Sequence, residues 1–302
     1  MRKLNLKNLS ALLKDAAIKW YKRDPFKESS VIAYNAIFSL PGLLVVIITL
    51  AGYVFGKDAV SGELHKQIAG VMGPDTADQI KEMIIAANKG SESILATILG
   101  VITILIGATG VFVQLQKSLN TIWEVKASPK KSGIWKFFRT RIFSFGLIVS
   151  IAFLLLVSLV LSSVLAALGN WMTGDKSEIL LIVFKILNFI VSLAIITILF
   201  ALMFKILPDV KIKWHLVWIG AFFTGLFFVL GKSALGLYFG KAQPGSGYGA
   251  AGSVILILLW TSYSSMIVFF GAEFTKAYSD HYYGELPPTE NAVKSSKSNN
   301  HG

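Results

Sequence analysis

Residues 142–168 hold no charged side chain, and five other blocks of similar length are nearly as bare: Val31–Gly56, Ser93–Leu115, Ile179–Leu207, Trp214–Phe239 and Ala250–Phe274. About 20 mostly apolar residues are enough to cross the hydrocarbon core of a bilayer as a helix. Within that core a single segment satisfies its own backbone hydrogen bonds only by coiling into a helix. The composition agrees, with 54% hydrophobic and 15% charged residues, against about 25% charged in soluble domains. The fold expected is all-α: an integral membrane bundle of six transmembrane helices over residues 31–276.

Charge placement orients the bundle. Residues 1–30 carry Arg2, Lys3, Lys7, Lys14, Lys19, Lys22, Arg23 and Lys27. Lys126, Lys130, Lys131, Lys136, Arg139 and Arg141 lie between the second and third blocks, and Lys205, Lys211 and Lys213 between the fourth and fifth. The intervening segments are poor in excess cations: 57–92 balances its lysines with acids, 170–178 has Lys176 and 240–249 has Lys241. Basic loops stay on the cytoplasmic side. Both termini are therefore expected in the cytoplasm. The net charge of +12 reads as this bias rather than as a nucleic-acid surface.

The segments outside the spans have their own patterns. Residues 1–30 show no cleavable signal peptide. Leu6, Leu9, Leu13, Ala17 and Trp20 recur at helical spacing among lysines. This predicts an N-terminal amphipathic helix, lying on the inner leaflet or packed on the ends of the bundle. Residues 57–91 are divided by Gly73-Pro74-Asp75, and Pro suits the first turn of a helix. They read as a short extracytoplasmic helical hairpin. Residues 277–302 read as a cytoplasmic, largely disordered tail, since the stretch from 284 onward is polar and rich in Ser, Asn and Lys. No internal repeat is visible.

A polar side chain inside a membrane needs a partner or water. Three spans bring such groups to the inner half: Tyr34, Asn35 and Ser39 in the first, Gln114, Gln116 and Asn120 at the end of the second, and Glu273 at the end of the sixth. Two bring them to the outer half: Lys185 and Asn188, which share a helix face, and Lys232. Together they predict a water-accessible cavity with an amide-rich, one-carboxylate inner end and a basic outer end. The plainer reading is that amides tie helices together and lysines snorkel to the interface. Glycines and alanines, among them Gly225, Gly271 and the Gly236/Gly240 pair, are expected to let helices approach closely.

Enzyme chemistry finds little to work with. There is no cysteine, and His65, His215, His281 and His301 show no metal-ligand spacing. Glu273 alone builds no acid/base pair. No enzyme activity, metal or cofactor is expected.

Several runs resemble the YihY/BrkB family of bacterial inner-membrane proteins. They are residues 33–41 (AYNAIFSLP); Gly110-Val111-Phe112 with Leu115-Gln116 and residues 119–123 (LNTIW); and Leu207-Pro208 before Trp214 and Gly220-Ala221. To these add residues 248–253 (YGAAGS), Leu258-Leu259-Trp260 and residues 271–275 (GAEFT). The likeness covers roughly residues 15–280. Gly42 departs from it, where many members carry a second proline. The resemblance implies six spans with both ends inside. It brings an old ribonuclease BN label, which the residues here fit badly, and a virulence and serum-resistance label. Some members look like lipid or lipid-precursor transport factors, and others have been discussed as ion antiporters. The leading expectation is a transporter or translocation factor for an amphiphilic or anionic envelope substrate such as a lipid, using Lys185 and Lys232. The alternatives are a cation/proton antiporter using Glu273, or a non-transporting scaffold. The expected partners are membrane lipid and a lipid or ion substrate, with no nucleic acid; a homo-oligomer is left open.

Overall fold

The computed structural model describes residues 6–88, 110–128, 178–242, 244–290 and 292–295. In chain order the elements are α1 (Leu6–Lys22), α2 (Pro25–Phe55), α3 (Lys57–Met72), α4 (Pro74–Asn88), α5 (residues 110–122), β1 (Val125–Ala127), α6 (Glu178–Ile206), α7 (Trp214–Ala242), a 3-10 turn (Ser246–Ala251), α8 (Gly252–Tyr283) and β2 (Ala292–Lys294). The fold is mostly helical, as expected.

Three of these helices are long and apolar enough to cross a membrane: α6 over Ile182–Ile206, α7 and α8. They fall on the fourth, fifth and sixth apolar blocks. Helix α2 runs over the first block as one helix, straight through Pro41 and Gly42. The third block, and the second up to residue 109, lie outside the described residues.

Helix α1 turns Leu12 and Ala16 into the main core, with Leu9, Leu13 and Trp20 packed beside them. Spacings of three and four put these on one face. Trp20 donates its indole N–H to the Met266 carbonyl of α8 at 3.1 Å. The helix packs on the bundle, a reading compatible with its lying on the inner leaflet; Ile18 and Tyr21 remain exposed on the other side. The chain then reverses at Asp24, which adopts left-handed angles (φ 52°, ψ 64°). Its carboxylate accepts from the Lys27 backbone N–H at 3.4 Å. Pro25 opens α2, where a missing N–H costs nothing.

Gly56 (φ 88°) and Gly73 (φ 91°) end α2 and α3. Both turns use a region that only glycine enters freely. Residues 57–88 thus form the expected pair of helices, with Pro74 starting the second. The pair rests on α2 and α8 through a small core of Leu44, Ile80 and Ile257. The Ser253 hydroxyl adds a hydrogen bond to the Gln79 side-chain oxygen.

Helices α7 and α8 cross through a reciprocal contact. An ideal Cβ on Gly220 would lie 1.8 Å from Thr275 Oγ1, and one on Gly271 would lie 1.8 Å from Thr224 Oγ1. Each threonine returns its hydroxyl to the glycine carbonyl one turn back on its own helix, at 2.7 Å. The hydroxyl is thereby satisfied locally, and both threonines are fully buried. Gly225 sits against Thr197 of α6 in the same manner. A Cβ on Gly236 or Gly240 would meet nothing within 4 Å among the described residues.

The tail also differs from expectation over residues 284–295. Strands β1 and β2 pair antiparallel, with Val125 opposite Lys294 and Ala127 opposite Ala292. Lys211 N–H donates to the Pro287 carbonyl at 3.0 Å, and Thr289 N–H to the Asp209 carbonyl at 2.9 Å. Polar composition signals disorder only when a segment finds no backbone partners; here two loops of the bundle supply them. Residues 296–302 lie outside the described part.

Candidate functional site

A membrane-buried carboxylate is costly unless a cation accompanies it. Glu273 of α8 has a side chain only 1% exposed, and Arg23 Nε lies 2.6 Å from its Oε1. Arg23 reaches it because the Asp24 turn ends α1 directly above α8. The guanidinium has other partners. Nη1 donates to the Thr121 carbonyl at 2.8 Å, and Nη2 to Glu124 Oε1 at 3.1 Å. The Thr121 carbonyl belongs to the last turn of α5, where it also accepts from the Glu124 N–H at 3.1 Å and where the helix dipole favours a cation. A planar fork of five donors suits such divided duty better than a lysine would.

Glu124 has φ 55°, turning the chain from α5 into β1. Its carboxylate also lies 3.5 Å from Lys276 Nζ, which in turn is 3.0 Å from Asp280 Oδ2. One end of α8 is thus wrapped in alternating charges drawn from α1, the α5–β1 turn and α8 itself.

Arg23 engages Oε1 of Glu273, while Oε2 has no hydrogen-bond donor among the described residues. Beside the carboxylate is a cavity of about 40 Å³, lined among others by Trp20, Arg23, Glu28, Ser118, Phe269 and Glu273. That is room for roughly two or three waters. Glu28 Oε2 accepts from Ser118 Oγ at 2.7 Å, so a second carboxylate is fixed at the same cavity.

Of the inner-half residues named from sequence, only Glu273 lines this cavity. Asn35 donates to the Val31 carbonyl at 2.8 Å, and its Oδ1 faces Gly110 of α5. Ser39 is buried and donates back to the Asn35 carbonyl at 2.8 Å. Tyr34 points outward, 63% exposed. Gln114 and Gln116 are half-buried on α5. Asn120 is a clamp: its Nδ2 donates to Asp209 Oδ2 at 2.9 Å, and its Oδ1 accepts from Asp209 N–H at 2.8 Å. Of the residues expected in the outer half, Asn188 and Lys232 are exposed on α6 and α7; the Lys185 side chain lies outside the described residues. Arg23, Glu28, Ser118 and Glu124 were not singled out from sequence. The one usable signal was Asp24-Pro25, a helix-start pattern that sets Arg23 at the mouth of the bundle. Among the described residues no cluster of His, Asp and Glu is fit to hold a metal.

Spanning-length apolar helices, with outward faces such as Ile182, Val183, Ile186 and Ile190 left uncovered, define an integral membrane protein of the helical-bundle class. Residues 18–296 match the family described as Virulence factor BrkB, and the chain belongs to that family. It is 26% identical to a UPF0761 membrane protein of Pseudoalteromonas atlantica, over 84% of this chain and 81% of the relative. It is likewise 26% identical to a UPF0761 membrane protein of Haemophilus influenzae, over 86% and 94%. A Bacillus subtilis protein named as ribonuclease-like, YfkH, is 22% identical over 87% of this chain and 93% of its own length. No solved structure matches.

Proposed function

We propose that the chain crosses a bacterial inner membrane six times, with both termini cytoplasmic, and carries an amphiphilic, anionic envelope substrate such as a lipid. The observation that carries this reading is Lys232. It is exposed on a spanning-length helix, and no ion pair holds it among the described residues. A cation at membrane depth calls for a counter-charge, and an anionic headgroup arriving along the apolar helix face supplies one. Lys185 is the second cation expected at that depth. This is the work of a carrier rather than an enzyme. A cation/proton exchanger through Glu273 is the weaker reading, since Arg23 already accompanies that carboxylate at 2.6 Å and Asn120 is spent on Asp209.

The test is transbilayer movement of a fluorescent anionic phospholipid in proteoliposomes. Replacing Lys185 and Lys232 together with glutamine should slow movement by roughly fivefold per lysine, with insertion into the membrane unchanged. A double variant that moves lipid at the full rate would end the proposal.

A further inference from the structure

The Glu273 cavity holds features that the carrier reading leaves unused. Two carboxylates, Glu273 and Glu28, line it against one cation, Arg23, in a chain whose net charge is otherwise +12. Glu273 is buried, and its Oε2, the oxygen that Arg23 does not engage, lacks a hydrogen-bond donor among the described residues. Such an arrangement is expensive to leave empty of donors. Trp20 and Phe269 give the same cavity aromatic walls, which suit a cation carrying carbon substituents.

We infer that the cavity between Glu28, Ser118 and Glu273 is a binding site for a primary ammonium group. An –NH₃⁺ brings three N–H donors and one positive charge. Those donors answer Oε2 of Glu273 and the oxygen of Glu28 that Ser118 leaves over, and the charge answers the second carboxylate at the cavity. A quaternary ammonium has the charge without the donors, and an anionic headgroup meets like charge. The volume of about 40 Å³ admits an ammonium and little beyond its attached carbon, so the remainder of the ligand lies outside.

The experiment uses the full chain, purified in detergent and offered an equimolar mixture of phosphatidylethanolamine, phosphatidylcholine and phosphatidylglycerol. Retained lipid is counted by native mass spectrometry. Phosphatidylethanolamine should be held in preference to phosphatidylcholine by about tenfold or more, as expected for a desolvated, hydrogen-bonded charge contact. The preference should vanish in Glu273→Gln and, as a second variant where that one is poorly folded, in Glu28→Gln. It should survive Lys232→Gln, which separates this site from the one proposed for transport. Displacement of the lipid by free ethanolamine supports the site with a soluble amine as its source; retention in its presence supports it with the lipid as source. Equal retention of phosphatidylcholine, or a preference that persists in both glutamate variants, overturns the inference.

Discussion

Arg23 does two jobs with one guanidinium: it accompanies Glu273 and closes the acceptor-rich end of α5. Removing it leaves a buried carboxylate without its direct ion-pair partner, an error that costs about 3 kcal/mol or more. Arg23→Ala should therefore lower the unfolding temperature in detergent much more than Glu273→Gln, which removes the charge that needs a partner. Replacing both residues with methionine should recover most of the loss, because a packed apolar pair avoids the desolvation cost. A double variant as unstable as Arg23→Ala would mean that the α5 cap, not the ion pair, carries the energy. Glu273 was legible in the sequence because a lone carboxylate in an apolar block stands out. Arg23 was not: it is one of eight cations in residues 1–30, and nothing local marks which of them turns inward. Asn120 shows the converse limit. An amide at the end of a span reads the same whether it lines a cavity or clamps a loop, and only the position of Asp209 decides.

Where α7 and α8 cross, each glycine is the seat for the other helix's threonine. Gly220→Leu or Gly271→Leu drives a side chain into a fully buried threonine, and overpacking of this kind costs about 1–3 kcal/mol even where neighbours can shift. Either variant should express poorly or melt early, while Gly236→Leu, which meets open space, should match the parent. A tolerated Gly220→Leu would show that the crossing is looser than described. The small residues of the sequence pointed to close packing in general, and Gly225 and Gly271 fulfil it. The Gly236/Gly240 pair meets nothing among the described residues, and the spacing of two glycines says nothing about whether a helix lies opposite. The threonines escaped notice for a related reason: a hydroxyl bonded to its own helix looks polar in a sequence and packs as an apolar knob.

Over the whole molecule, the alternation of basic and neutral loops makes a claim about sides. The absence of cysteine makes it simple to check with single introduced thiols. Asp75→Cys and Glu82→Cys lie at exposed positions of the α3–α4 pair. They should react with a membrane-impermeant maleimide on intact cells, whereas Lys22→Cys and Lys211→Cys should react only after the membrane is opened. Labelling of Lys22→Cys on intact cells would reverse the orientation. The long apolar blocks made the helical membrane fold readable, since lipid permits so few alternatives. The strap formed by residues 284–295 was not readable, because its order comes from backbone groups on loops far away in the chain. That strap bears on how the protein is made. Strand β1 leaves the ribosome before the last four apolar blocks, and β2 only after all of them, so the pairing of Val125 with Lys294 cannot form during synthesis of the spans. A polypeptide broken off after Tyr283 would insert every helix and still present β1 as an open edge, a mark by which quality-control proteases can tell an unfinished chain from a finished one.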